Sequence, residues 1–318
     1  MGSERGIRPG GPIFLAGTDR SGIGLLAETL NAHPRLFLSR RTRFWDLIYG
    51  QYGDVKQPAN EARAIAAMVE QPHMLELNPD AERLHSDFVA IGDNRDYADL
   101  FRLIHEHHLE SIKRTRWGDK TLDSDRHAAV ILDAYPNAQM IHVVRDPRDR
   151  YASQSMHRNA SRGKVGAGSA MWLASVRRAK RNRTAYEGRY EIVRYEDVVL
   201  DPEETLRAVC RFLGEDFSES MLEVSGPPQR LGARADEPFG RSRLVPTSVE
   251  RYKSDLTGED IAFVQLVAAR PMRALGYVTS RVRVSRQRRI AFWLLAVPVN
   301  LIRMGAWWVR MSLRRTNR

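Results

Sequence analysis

Apolar runs and helical periodicities alternate along this chain. "PIFLAG", residues 12–17, is a short continuous apolar run of the kind that fills a fully buried strand. "GIGLLAETLNAH", residues 22–33, switches to helical spacing and stops before Pro34. Three polar–apolar helical stretches follow, around 59–71, 81–90 and 95–114, with no strand signal between them. "DSDRHAAVILDAYP" predicts a helix capped by Asp123 or Ser124 and ended near Pro136, and "AQMIHVV" a second buried strand. Asp146 then stands as an N-cap with Pro147 at the first helical position.

Further on, "NASRGKVGAG", residues 159–168, predicts a flexible loop, and the stretch from Trp172 to Tyr186 a helix with Trp172 in the core. "RYEIVRYED" is a third strand candidate, and "DPEETLRAVCRFLG" a helix with Asp201 as cap, acids in its first turn and Gly214 at its end. Residues 225–248 are rich in Pro and Gly and predict loop. "TGEDIAFVQLVAARPMRALG" is a last core helix, with Thr257 and Asp260 approximating a capping box and Gly276 as C-cap. Strands separated by helices predict an α/β fold, a central parallel β-sheet flanked by helices on both faces.

Composition changes this picture in one place. The 318 residues carry a net charge of +11, which suggests a polyanion partner. From Ile261 to Arg318, however, there are twelve arginines and no Asp or Glu, so residues 1–260 come to −1. The body is nearly neutral, and nucleic acid is not an expected partner. The single cysteine, Cys210, cannot close an internal disulfide or build a thiolate metal site, which fits a reducing, cytoplasmic setting. The first apolar stretch, Pro12–Ala16, is too short for a signal peptide and follows a glycine-rich leader over 1–10.

The candidate chemistry begins at Gly17. Glycines at a strand-to-helix turn let backbone N–H groups converge on a phosphate, and the helix start adds partial positive charge. Gly17 and Gly22 fit the glycines of the NTPase loop G-x-x-x-x-G-K-[ST], but Ile23 and Gly24 replace its lysine and magnesium-binding hydroxyl. The cation here is Arg20, inside the loop, and no metal is expected. A packing turn is the competing reading of this stretch alone. In "MIHVVRDPRDRYASQSMHR", Arg145 ends a buried strand and Ser153 lies two turns into the next helix. Ligands of open α/β sheets collect at the carboxyl ends of strands, so two such sites suggest two separated phosphates.

At these residues the chain resembles sulfotransferases that use 3′-phosphoadenosine 5′-phosphosulfate, of a bacterial type. "FLAGTDRSGIGLLAETLNAHP" is similar to the 5′-phosphosulfate loop of that family, and "IHVVRDPRDRYAS" to its 3′-phosphate motif with the arginine-to-serine spacing preserved. "RWGDKTL", "IVRYEDVVLDPEETLRAVCRFLGEDF" and "VERYKSDLTGEDIAFVQLVAARPMRALGY" resemble three further segments in the family's order. The resemblance implies a P-loop-like three-layer fold over 11–279, with the helical insert 55–114 on the acceptor side. It implies that Gly17, Thr18, Arg20, Ser21, Gly22, Ile23 and Gly24 hold the 5′-phosphosulfate and Arg145 and Ser153 the 3′-phosphate. By the same resemblance Tyr195 lies near the adenine, Arg251 or Lys253 closes the site, and Arg20 and Lys120 act in catalysis.

Two departures stand out. Ile23-Gly24 replaces the usual threonine pair, which raises a catalytically degenerate nucleotide-binding protein as the alternative; a P-loop kinase lacks its loop lysine. The family's glutamate before an aromatic pair is also missing, leaving Asp119, Asp46 or His142 as the base that takes the acceptor's proton. The acceptor implied is an alcohol or glycan.

Residues 280–318 leave the family pattern. They predict an amphipathic helical extension in which Arg303, Arg310 and Arg314 share a face and Trp293, Trp307 and Trp308 lie among aliphatic residues. The charge-free run is short for a span of roughly 20 residues, so the expectation is a peripheral position on an anionic membrane through 281–318. Docking on the chain's own core and a true span are the alternatives. A membrane position would suit a lipid acceptor.

Overall fold

Period-two alternation decides how the first strand is buried. In the computed structural model, which describes residues 10–155, 165–226, 240–243, 248–282 and 285–316, β1 is Ile13–Ala16. Ile13 and Leu15 join one core cluster, Phe14 and Ala16 another, so the strand feeds both faces. The remaining strands of this sheet are β2 (Leu36–Arg40), β3 (Arg116–Lys120), β4 (Gln139–Val144) and β5 (Tyr190–Arg194). Their order is β2-β3-β1-β4-β5 with every pairing parallel, so all five carboxyl ends meet along one edge. That edge is where ligands of such sheets bind.

Helices cover both faces. Ile23–Asn31, Tyr195–Leu200 and Pro202–Leu213 pack on the Ile13/Leu15 face. Pro58–Glu70, Ala81–Ala90, Tyr97–Ile112 and Ala128–Ala134 pack on the Phe14/Ala16 face around Trp45, Phe101, Trp117 and Tyr135. The helix Tyr97–Ile112 starts at a reciprocal capping box between Asp96 and Asp99.

Two elements depart from expectation. The segment before Trp45 and the one after Ile112 are strands β2 and β3, although the helical pattern around them carries no strand signal. β3, "RWGDK", has one large apolar residue, yet all five positions are buried because tertiary partners satisfy the polar groups. Residues 165–168 are helix, not loop, within Val165–Ala185; residues 159–164 and the leader over 1–9 lie outside the described residues. Asp201 precedes its helix without a side-chain cap bond, whereas Gly214 takes the left-handed conformation expected of it.

The C-terminal segment docks on the chain's own helix. Ser285 caps Arg286–Ala291, a π-helical turn spans Phe292–Ala296, and Val297–Thr316 continues as α-helix. Pro298, which has no N–H to donate, follows directly after this turn as the second residue of the α-helix. Phe292 and Val297 are buried against Tyr151, Val165 and Phe263. A Cβ on Gly166 would lie 2.2 Å from the Asn300 carbonyl oxygen, so only glycine admits this helix–helix approach.

Arg116 anchors the opposite end of the sheet. Nearly all of its side chain is buried, donating to the carbonyls of Gly11 and Leu213, to Gln139 and to Glu215. Removing one partner of a buried pair strands the other, at a cost of about 3–5 kcal/mol. Arg116→Leu is expected to lower unfolding free energy by about that amount in denaturant titration; a loss near zero would mean that water replaces the guanidinium.

Candidate active site

The loop after β1 is held open by its backbone. Ser21 N–H donates to the Thr18 carbonyl at 3.2 Å and Asp123 N–H to the Gly17 carbonyl at 3.0 Å. Arg20 has φ +65° and Gly22 φ +94°, both left-handed. A Cβ on Gly22 would lie 2.3 Å from Tyr195 Cδ2, so the loop needs glycine for its dihedral and for the ring beside it. Gly22 also N-caps the helix Ile23–Asn31 without a side-chain cap, which leaves first-turn N–H groups for a ligand. Ser21 Oγ is buried with no hydrogen-bond partner among the described residues.

The second motif converges on the same place. Arg20 Nε donates to Ser153 Oγ at 2.9 Å, and Arg145 Nη1 to the Arg20 carbonyl at 3.4 Å. Arg145 Nη2 donates to the Ser248 carbonyl at 2.6 Å, its guanidinium lies 4.3 Å from the centroid of the Tyr195 ring, and its Nε is buried without a partner. Glu196 accepts the Asp146 N–H at 2.9 Å, while Trp172 Nε1 donates to the Arg145 carbonyl at 2.8 Å. Strand-end geometry is therefore pinned on both sides of Arg145, and Trp172 is core as expected.

A cleft of about 400 Å³ opens at this edge. Among the anticipated residues, Arg20, Gly22, Ile23, Gly24, Lys120, Arg145 and Tyr195 line it. Gly17, Thr18, Ser21 and Ser153 lie behind the lining. Arg251 pairs with Asp255 at 3.2 Å, and its charge is felt at Arg20; Lys253 is exposed and bound to Glu250. Burial lowers the Arg20 guanidinium, with Asp19 opposing and Arg145 and Arg251 adding to the shift. Burial likewise lowers Lys120, with Arg41 contributing.

None of the three anticipated bases lines the cleft. Asp119 is fully buried, accepting Ser39 Oγ at 3.0 Å and Thr42 Oγ1 at 2.9 Å, and burial raises its carboxyl. Asp46 lies 3.1 Å from His127 Nε2. His142 is enclosed between Tyr190 and Ser175, where burial lowers its imidazole. The carboxylates that do line the cleft are Asp19, Glu28 and Glu76.

Sequence reasoning passed over several of these groups. Arg150 is fully buried behind the loop, donating to Thr18 Oγ1 at 3.1 Å, and burial pushes its guanidinium down to about 10. "RDPRDR" contains three arginines, and only burial separates their roles; Arg148 pairs with Asp146 instead. Arg40 and Arg41 follow from β2, which the pattern did not reveal. Glu28 was legible, since it follows Gly24 by one helical turn on the lining face. Arg40 holds it at 3.0 Å and also donates its backbone N–H to Glu76 at 2.6 Å. Pro72 and His73, from the insert, complete that end.

The unpartnered Ser21 Oγ and Arg145 Nε, the uncapped helix start and the glycine cradle fit an anionic nucleotide. Comparison with known proteins gives the family. A family model described as "Sulfotransferase family" matches residues 12–219. Carbohydrate sulfotransferase 2 of mouse, and that of human, are each 34% identical over 92 residues, which span 29% of this chain and 17% of theirs. The sulfotransferase domain of the Synechococcus PCC 7002 olefin synthase is similar in fold, with TM-score 0.56 and 22% identity, over 87% of this chain and 98% of that one. A sulfotransferase domain from the curacin biosynthetic pathway matches with TM-score 0.52 and 18% identity, over 86% and 100%.

One carboxylate ties residues 248–255 to this site. Asp149 accepts the backbone N–H groups of Glu250 at 2.7 Å and Tyr252 at 2.9 Å. Burial pushes its carboxyl up to about 6, against those two bonds and the Arg145 charge. A folded value above the ordinary aspartate range favours the folded chain at low pH, and that contribution is lost as pH rises through about 6. Acidification therefore does not unfold the chain through this group. It does turn one acceptor oxygen into a hydroxyl, a weaker acceptor for the N–H it holds. Deuterium uptake in a peptide covering 248–256, corrected for intrinsic rate, is expected to rise as pH falls from about 7 to about 5. Flat uptake would show that both tethers survive protonation.

Proposed function

Because the chain belongs to the sulfotransferase family, we propose that it transfers a sulfuryl group from 3′-phosphoadenosine 5′-phosphosulfate to a hydroxyl of a lipid-like or glycan acceptor. The observation that carries this reading is the convergence of Arg20 and Arg145 in one cleft, bridged by the Arg20–Ser153 hydrogen bond. Two anion-binding clusters on adjacent strands suit a nucleotide with phosphates at both ends. The loop residues Gly17 to Gly24 hold the 5′ end, and Arg145 with Ser153 the 3′ end. Residues 248–255, with Arg251 near Arg20, close over it.

In the transfer, the acceptor oxygen attacks sulfur in line, the bond from sulfur to the 5′-phosphate oxygen breaks, and the bisphosphate leaves with that electron pair. The acceptor's proton goes to a base. Arg20 and Lys120 meet the charge that grows on the leaving oxygen and the sulfuryl group. Glu28 lines the cleft beside Arg40 and raises the Lys120 ammonium electrostatically, so it replaces Asp119 and Asp46 as the residue assigned to take the proton. The insert residues Pro72, His73 and Glu76 border the acceptor end. Ile23-Gly24 in the lining favours one second reading, a nucleotide-binding protein without turnover.

The extension supplies the membrane side of this reading. Arg288–Leu313 is long and apolar enough to cross a bilayer by length and composition, and only 17% of its most apolar window is buried. A span would pull Phe292, Val297 and Asn300 out of their contacts on the body. The helix instead lies in the interface: Ile290, Trp293, Leu294, Leu295, Ile302 and Leu313 are exposed on its outer side. A lipid or glycolipid hydroxyl then reaches the cleft without leaving the bilayer surface.

Calorimetry is expected to give binding of the adenosine 3′,5′-bisphosphate product and none of ATP; the reverse would favour a kinase. Arg20→Ala and Lys120→Ala are each expected to lose roughly 10²–10³ in kcat in transfer of labelled sulfate to a lipid extract, and Glu28→Gln to lower kcat without raising the KM for donor. Donor binding without any transfer would establish the degenerate reading. Leu294→Asp with Ile302→Asp is expected to abolish flotation with vesicles while leaving the unfolding midpoint unchanged. Undiminished flotation would remove the helix from the membrane contact.

A further inference from the structure

A second cationic cleft, of about 230 Å³, lies at the seam between Val165–Ala185 and the C-terminal helix. Its arginines are Arg126, Arg177, Arg178 and Arg181, and its aromatic wall is Trp307 and Trp308. Two of the four charges are neutralised inside the protein. Arg178 pairs with Asp125 and, at 3.4 Å, with Asp123, which also holds Arg126 at 3.4 Å. Arg177 and Arg181 are exposed, sit one turn apart on the same helix face, and have no carboxylate partner among the described residues. The Arg177 guanidinium instead lies 5.5 Å from the centroid of the Trp308 ring.

We propose that this cleft binds the phosphate of an anionic phospholipid, with Arg177 and Arg181 as its donors. Paired guanidinium groups match phosphate oxygens in number and geometry. The indoles are amphipathic and suit the level of lipid headgroups. Ile302, Val309 and Leu313 stand exposed further round the same helix, where they would meet the acyl layer surrounding such a lipid. The last 58 residues contain no acidic side chain, so nothing on the extension repels an anionic surface. An acidic peptide would match the arginines but leave that apolar side in water. This proposal rests on the membrane reading for its setting, but the headgroup site is separable from it.

The test uses the full-length protein with vesicles of phosphatidylcholine alone and of phosphatidylcholine with phosphatidic acid. Wild type is expected to float more strongly with the acidic vesicles. Arg177→Ala with Arg181→Ala should weaken that binding about 30-fold, from roughly a fivefold contribution per basic residue near an anionic surface. Binding to phosphatidylcholine alone should not change. Lys56→Ala with Lys113→Asn removes equal charge from exposed positions outside the cleft and should keep the acidic preference. Short-chain phosphatidic acid below its micelle concentration should shift tryptophan emission, and inorganic phosphate at equal concentration should not.

An arginine pair variant that retains the acidic preference overturns the site while leaving the membrane reading intact. A wild type that ignores both vesicles but responds to the short-chain lipid overturns the membrane reading and supports the site. An equal response to inorganic phosphate overturns the assignment to lipid.

Discussion

Arg20, Lys120, Arg145 and Arg150 stand at or just behind the carboxyl ends of three adjacent strands, where water reaches them poorly. Like charges in a partly desolvated space repel, and three of the four carry the mark: burial and neighbouring cations lower Arg20 and Lys120, and bring Arg150 down to about 10. The local acids do not cancel this. Asp19 opposes the shift at Arg20 and Arg150, and Glu28 that at Lys120, without reversing either, while Asp149 accepts backbone N–H groups. A polyanionic ligand, as proposed, would relieve the crowding, and the uncapped helix start and the glycine loop open onto the same cleft.

The scaffold keeps the crowding tolerable by fixing the three arginines from outside the cleft. Ser153 takes Arg20, the Ser248 carbonyl takes Arg145, and Thr18 takes Arg150. Tyr195 serves two of these at once: its ring underlies the Arg145 guanidinium and fills the space that a side chain at position 22 would need. Rigidity of this sort suits a transfer whose protein groups must already be in position when charge develops.

Much of this was legible from residue order. The strand before Gly17, the strand before Arg145 and the helices after them follow from apolar runs and caps; that Arg20 donates to Ser153, which belongs to the second motif, is visible only in the fold. β2 and β3 were not legible, for a physical reason. β3 buries Arg116, Asp119 and Lys120, whose partners are Glu215, Ser39 and Thr42 and the charges lining the cleft, all distant in sequence or on another strand. A pattern of hydrophobicity cannot signal a strand whose polar groups are satisfied only after the sheet forms. The same omission hid Arg40 and Arg41 and turned the search for a base toward Asp119. Local pattern also could not say which of Arg145, Arg148 and Arg150 faces the loop.

The sequence of the extension leaves lipid contact, self-docking and a true span open, but an amphipathic helix with apolar residues on more than one side can satisfy the first two together. Here the inner side settles on the helix Val165–Ala185, and that helix is also a support of the cleft. Gly166 N–H donates to Asn300 Oδ1 at 3.2 Å, and one turn on, the Gly168 carbonyl and Met171 sulfur receive the Arg150 guanidinium at 3.4 and 3.0 Å. A single rigid element thus joins the tail to the arginine behind the glycine loop. Whatever surface the outer side rests on, the cleft is held at a set orientation to it. On the membrane reading proposed above, a free amphipathic tail would hold the chain at a variable angle, whereas a docked one would hold the cleft at a fixed one. That difference matters most for an acceptor that cannot tumble, such as a hydroxyl on a lipid already embedded in the bilayer.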